Sequence, residues 1–199
     1  MELRPDRDAF AAAHASGRAQ VVWAELIADQ DTAVSLMLKL TGLAENSFML
    51  ESVTGGEVRG RYSVLGFDPD LIWRCRGEKA ELNRRAAADP AAFEPEEQPT
   101  LASLRALIAE SRIEMPDRLP PMAAGLFGYL GYDTIRLVEK LGQPNPDPLD
   151  LADAMLVRPR LVAVVDNIRD TVMLVTPVWP DAGVTAEEAW AAAAERLEA

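Results

Sequence analysis

Residues 46–69 read NSFMLESVTGGEVRGRYSVLGFDP: an apolar run ending in Glu51-Ser52, a Gly-Gly turn, and a second run that resumes at Arg59. With the two-residue period of a strand, Phe48, Leu50 and Ser52 share one face, and Met49, Glu51 and Val53 share the other. A hydroxyl is thereby set in line with two apolar side chains that this pattern expects to be buried. Gly55 and Gly56 accept positive φ, so residues 54–58 suit a hairpin loop that returns the chain as a strand over 59–65. Such a hairpin carries Arg59, Arg61 and Tyr62 back beside Glu51-Ser52, and a small ligand is expected at that end.

Working outward, residues 6–15 form a short Ala-rich helix stopped at Gly17, and 20–27 has the composition and length of a strand. Asp31 is the expected N-cap of a helix over 33–40 that ends at Gly42 and is apolar enough to pack along most of its surface. Residues 71–76 and 79–83 read as a strand pair around Gly77. Ile72, Arg74 and Arg76 alternate there with Trp73 and Cys75, as in a sheet with one wet face. Between 84 and 99 the composition turns to Ala, Pro and Glu, including EPEEQP, and a mobile surface loop is expected, solvated or serving as an acidic tract.

Thr100 then caps an amphipathic helix whose Leu101, Leu104, Leu107 and Ile108 fall on one face. Prolines 116, 120 and 121 interrupt the chain, 133–141 reads as a helix stopped by Gly142, and QPNPDPLD is a linker. Residues 160–166 and 171–178 form a valine-rich hairpin around 167–170. The last segment, 185–197, opens with a capping box of Thr185 and Glu188. Helices and strands cluster instead of alternating strictly, which predicts an α+β fold, mainly antiparallel sheet packed with helices.

At 199 residues and 49% hydrophobic content the chain can bury a substantial core, and a single domain over 1–199 is expected. The formal net charge of −12, with no basic stripe, disfavours nucleic acid and anionic lipid as partners. The amino terminus does not read as an export signal, and no run of about 18 apolar residues is present, so a cytoplasmic protein with no membrane partner is expected. Cys75 is the only cysteine, so no internal disulfide can form.

Gly125, Gly128 and Gly131 recur every third residue, yet no Lys-Ser/Thr follows and the first spacing is not Gly-x-Gly, so neither phosphate-binding fingerprint is met. Close backbone packing in a sheet accounts for them; docking of another domain is the alternative. Candidate catalytic groups are sparse. His14 is the only histidine and sits in an Ala-rich helix, which leaves Ser-His or Cys-His relays without a base and excludes a multi-histidine metal site. Cys75 reads as a packing residue. Glu51 reads equally as a ligand contact or a salt-bridged strand residue, and no second carboxylate is locally placed to share acid–base roles with it. No catalytic residue, metal ligand or cofactor site is therefore assigned within the chain.

FMLESV at 48–53 followed by GGEVRGRYSVLGFDP at 55–69 resembles the amino-terminal domain of anthranilate synthase component I. That family's form is close to LLES, a Gly-rich turn, GRYS and an apolar-Gly-x-Asp-Pro ending. Met49 stands where Leu is more common. GLFGYLGYD at 125–133 is similar to a second block of the family, and the resemblance loosely covers the whole chain. Aminodeoxychorismate synthase component I has a related domain, but Glu51-Ser52 and the GGE turn resemble the anthranilate enzyme more closely.

The resemblance implies a parent enzyme of tryptophan biosynthesis that makes anthranilate and pyruvate from chorismate, with ammonia supplied by a glutamine amidotransferase subunit. The Mg²⁺ site and the chemistry would belong to a catalytic domain absent from residues 1–199, so the isolated chain is expected to be inactive. It also implies feedback regulation by L-tryptophan, with Leu50, Glu51 and Ser52 in the effector site and Arg61 and Tyr62 contributed by the return strand. Those residue types suit a zwitterion with an indole: an acceptor for ammonium, donors for carboxylate, and apolar walls. The competing reading from the residues themselves is an ordinary hairpin with a cross-strand Glu-Arg pair. A free-standing amino-acid-binding or interaction domain is the alternative from another functional class.

Overall fold

The computed structural model describes residues 1–51, 60–143 and 146–199, and the fold is α+β with a mainly antiparallel sheet. In chain order the elements are α1 (Arg7–Ala15), β1 (Gln20–Ile27), α2 (Ala33–Thr41), β2 (Phe48–Leu50), β3 (Tyr62–Arg76), β4 (Lys79–Asn83), β5 (Glu94–Pro95), α3 (Thr100–Glu110), β6 (Phe127–Leu130), β7 (Ala154–Asp166), β8 (Thr171–Val178) and α4 (Ala186–Glu198). The strand order is β1-β8-β7-β3-β4-β5, with β2 also paired to β3 and β6 to β7. Two compact units divide the chain: 1–68, 113–125 and 159–199 make the first, 69–112 and 126–158 the second.

In the first unit, β1 pairs with β8 from Gln20↔Val178 to Ile27↔Thr171, and β8 pairs with β7 around the 167–170 turn. Helix α4 begins at a capping box in which Thr185 and Glu188 satisfy each other's backbone N–H groups. Its Ala189, Trp190, Ala193 and Leu197 are buried with Phe10, Val22 and Val178, and Trp190 meets the Phe10 ring edge-on with centroids 5.1 Å apart. Each such aromatic or aliphatic side chain contributes about 1.5–3 kcal/mol on full burial. Helix α1 is capped by the Asp6 carboxylate, which accepts from the Ala9 N–H at 2.8 Å.

Helix α2 departs from the sequence reading in two ways. Thr32, not Asp31, is its N-cap and forms a capping box with Ser35, while Asp31 accepts from Ser35 Oγ at 2.7 Å and Lys39 Nζ at 2.6 Å. Nor does it pack all round: Ala33 and Leu36 are buried, but Val34 and Leu38 are exposed, because a cluster from β3, β7 and β8 covers one stripe only.

In the second unit, Leu71, Trp73 and Cys75 of β3 pack with Ala80 and Leu82 of β4 and Leu107 of α3. Cys75 is a buried packing residue, and burial, then the nearby Asp153 charge, push its thiol pKa up. The expected wet face is only partial, since Ile72 is buried and exposure begins at Arg74 and Arg76. The segment 84–99 carries β5, and Phe93 lies beneath the Arg74 guanidinium at 3.6 Å.

Thr100 is not the N-cap of α3. Pro99 holds that position without a side-chain bond, and Thr100 is fully buried with its hydroxyl donating to the Gly77 carbonyl at 2.7 Å. Thr100, Ser103 and Leu107 are its buried residues; of the predicted leucine face, Leu107 is buried, Leu104 packs on the same cluster and Leu101 is half-buried, but Ile108 is exposed. The helix turns this way because the Trp73 indole N–H donates to Ser103 Oγ at 2.9 Å, and Ser103 Oγ donates to Glu96 Oε2 at 2.9 Å.

The glycine block is a site of close backbone approach. Phe127–Leu130 pairs with β7 from Phe127↔Val157 to Leu130↔Ala154, and a Cβ on Gly128 would overlap the Met155 carbonyl oxygen. Beyond it, Tyr132–Leu137 is a 3₁₀ helix in place of the predicted α-helix over 133–141.

Candidate functional site

Strands β2 and β3 pair as Phe48↔Gly66, Met49↔Leu65 and Leu50↔Val64, which brings the Leu50-Glu51 end within two residues of Tyr62. Residues 52–59, which include Ser52, Val53 and the predicted hairpin loop, lie outside the described residues. Strand β2 does not bury one face as expected: Phe48 and Met49 are both half-buried and Leu50 is exposed. Met49 packs on the cluster of Leu36, Leu65, Ala163 and Val165, whereas Leu50 is 56% exposed. Phe48 is half-buried because Gly66 leaves room for its ring, a space that a Cβ would fill. Glu51 is exposed, so the strand end presents an apolar side chain followed by a carboxylate.

Arg61 and Tyr62 open the partner strand. The Arg61 guanidinium grips Asp166 at the end of β7: Nε lies 3.1 Å from both carboxylate oxygens, and Nη2 lies 2.6 Å from Oδ2. This geometry is directional and charge-assisted. Arg61 Cζ also stands 4.9 Å from the Tyr62 ring centroid, within cation–π range. Asn167 continues the connection, its N–H donating to the Arg61 carbonyl at 2.9 Å and its Nδ2 to Ser63 Oγ at 3.2 Å.

Asp166 is 2% exposed and accepts further from the N–H groups of Ile168 at 3.1 Å and Arg169 at 3.3 Å. Burial pushes its carboxyl pKa up; the Arg61 hydrogen bonds and those two backbone donors outweigh burial and hold it below the ordinary aspartate value. The hydrogen bond from Arg61 correspondingly raises the guanidinium pKa. In the sequence Asp166 reads only as the end of a strand and Asn167 only as the start of a turn. An Asp-Asn pair at a strand end signals a side-chain-capped turn, but its partner 105 positions earlier leaves no local trace.

Within the second unit a concavity of about 540 Å³ is lined by Trp73, Leu104, Leu130, Ile135 and Val138, among other residues. No charged side chain lines it. It has apolar walls without ionic partners for a zwitterion, whereas the Leu50-Glu51 end offers a carboxylate beside an apolar wall. Among the described residues no three His, Cys, Asp or Glu side chains group as a metal site. No helix of the described residues is long and apolar enough to cross a membrane.

No family model matches the chain. Among curated proteins, it is 60% identical over 182 residues to anthranilate synthase component 1 of Cereibacter sphaeroides, covering 92% of this chain and 36% of that protein. It is 39% identical over 155 residues to anthranilate synthase component 1 of Pseudomonas aeruginosa, covering 72% of this chain and 29% of that one. The crystal structure of anthranilate synthase component I from Streptococcus pneumoniae superposes with a TM-score of 0.52 at 19% identity, covering 87% of this chain and 35% of the solved one, a likeness of fold. The chain spans about a third of the length of the curated relatives it matches.

Proposed function

We propose, for a chain that belongs to the anthranilate synthase component I family, that it is the amino-terminal, regulatory part of an enzyme making anthranilate and pyruvate from chorismate. Ammonia would come from a glutamine amidotransferase subunit. Mg²⁺ and chorismate would be handled by a catalytic domain beyond these residues. The observation that carries this is the 60% identity sustained over 92% of the chain with a protein of that name.

The effector in this proposal is L-tryptophan, held at Leu50, Glu51, Ser52, Arg61 and Tyr62. The geometry that supports it is the β2–β3 register, which pairs an exposed Leu50 with Val64 and so brings the Leu50-Glu51 end of β2 to the Arg61-Tyr62 end of β3. Glu51 would receive the ligand ammonium, Leu50 and Tyr62 would flank the indole, and Ser52 would add a hydrogen bond. Arg61 grips Asp166 through Nε and Nη2, and in this reading Nη1 would donate to the ligand carboxylate.

The test is chorismate-dependent anthranilate fluorescence from the complete open reading frame that contains this chain, with ammonia and Mg²⁺ supplied and L-tryptophan titrated. Anthranilate formation inhibited by tryptophan supports the proposal; formation of a different chorismate product, or tryptophan-insensitive turnover, refutes the corresponding half. Ser52→Ala should weaken inhibition about 2- to 150-fold, the range for losing a neutral or charge-assisted hydrogen bond. The 199-residue chain alone should form no anthranilate.

A further inference from the structure

We infer that Asp166 and Asn167, at the β7–β8 turn, are positioning residues for the effector end of β3, an inference that rests on the tryptophan reading above. The turn holds Gly60, Arg61 and Ser63 through the backbone and side chains of Asp166 and Asn167. The Gly60 carbonyl accepts from Asn167 Nδ2 at 3.5 Å, the Arg61 carbonyl from Asn167 N–H at 2.9 Å, and Ser63 Oγ from Asn167 Nδ2 at 3.2 Å. The Arg61 side chain is held by Asp166.

The Asp166 carboxylate performs two tasks at once. It accepts from the Ile168 and Arg169 N–H groups, shaping its own turn, and it orients the Arg61 guanidinium that stands 4.9 Å from the Tyr62 ring. Loss of its charge therefore loosens the turn and the arginine together. Ser63 is fully buried and Asp166 nearly so, which makes these contacts costly to leave half-made. Because a ligand that must first order its site loses affinity, this latch preorganises residues 61–62 before the effector arrives. Neither Asp166 nor Asn167 is assigned a contact with the effector; their influence runs through the strand end they hold.

The experiment is calorimetric titration of L-tryptophan into the complete open reading frame and three variants. Asp166→Asn keeps the side-chain size and removes the charge. Asn167→Ala removes only the side-chain donors of an exposed turn residue and decides the matter if Asp166→Asn fails to fold. Glu110→Gln breaks a comparable two-pronged pair, Arg84 to Glu110 at 2.6 and 2.8 Å within the second unit, and reports general destabilisation. The expected result is a dissociation constant raised about tenfold in Asp166→Asn, about threefold in Asn167→Ala and unchanged in Glu110→Gln, the scale of one charged and one neutral hydrogen bond.

Wild-type affinity retained in Asn167→Ala and in folded Asp166→Asn overturns the inference alone. An equal loss in Glu110→Gln overturns it too, since stability would then explain the effect. Absence of tryptophan binding to the wild type removes the effector reading itself, and the inference with it.

Discussion

Helices α3 and α4 are held by different means, although the sequence announces each with a threonine. Thr185 caps α4 from outside, and the helix then buries Ala189, Trp190, Ala193 and Leu197 in the first unit. Thr100 is already inside α3, fully buried, and the buried stripe of that helix in the second unit is led by Thr100 and Ser103. Its attachment runs through Thr100 to Gly77 and through Trp73, Ser103 and Glu96. An apolar stripe is additive and forgiving of small shifts; a buried hydrogen-bond relay is directional and costly when one member is lost. The difference explains why a hydrophobic-face reading of α3 finds Leu104 and Leu107 but misses the buried Thr100 and Ser103.

The sharpest test of the α4 side is Trp190→Ala. The indole is 8% exposed and edge-stacked on Phe10, so its removal should cost about 3–5 kcal/mol in urea unfolding followed by far-UV circular dichroism. A loss no larger than that of a surface substitution would end the claim that this stripe anchors the helix. On the α3 side, Ser103→Ala should cost about 1–3 kcal/mol, because it strands the buried Trp73 N–H and removes the donor to Glu96. A near-neutral Ser103→Ala would place the attachment of α3 in Leu107 instead.

Thr185→Ala should have a smaller effect, about 0.5–2 kcal/mol, since it removes the cap and spares the apolar stripe. Should it match Trp190→Ala, the cap and not the packing would dominate α4.

The smallest effect expected is a pH dependence, which compares Asp166 of the first unit with Glu110 of the second. Both carboxyl pKa values are lowered in the folded chain: at Asp166 the Arg61 bonds and backbone donors overcome burial, and at Glu110 the Arg84 hydrogen bond leads. A depressed folded pKa contributes stability above the unfolded value, about 3.9 for Asp and 4.3 for Glu, and that contribution is lost as pH falls through the folded value. Urea midpoints taken from pH 7 downward should therefore fall less steeply in Asp166→Asn and Glu110→Gln than in the wild type. Parallel pH profiles would show that these pairs add nothing to acid stability.

Much of the secondary structure was legible where local chemistry decides it. The β1, β4 and β8 segments, the α4 capping box and the turn at 167–170 follow from valine-rich runs, caps and turn residues. Reading β3 as two strands failed because Gly66-Phe67-Asp68-Pro69 resembles a terminus. The strand instead continues through it, with Asp68 at a φ of 55° and salt-bridged to Arg160 at 2.6 Å. β7 likewise starts at Ala154, not at 160, since Arg158 and Pro159 look like punctuation.

At the candidate site the pairing of β2 with β3, and hence the meeting of Leu50 with the start of β3, was present in residues 46–69. Period-two alternation divides a strand into two faces without saying which face meets the core. In the fold Met49 packs against the cluster of Leu36, Leu65, Ala163 and Val165, Phe48 is half-buried over Gly66, and Leu50 is exposed. The sequence by itself determined the α+β class, the Thr185–Glu188 capping box and the strand pairing near Glu51, because these depend on neighbours within a few positions. Only the tertiary structure decided that Leu50 is exposed, that Thr100 and Ser103 of α3 are buried and hydrogen-bonded, and that Arg61 meets Asp166, because each depends on partners distant in the chain whose packing no local pattern encodes.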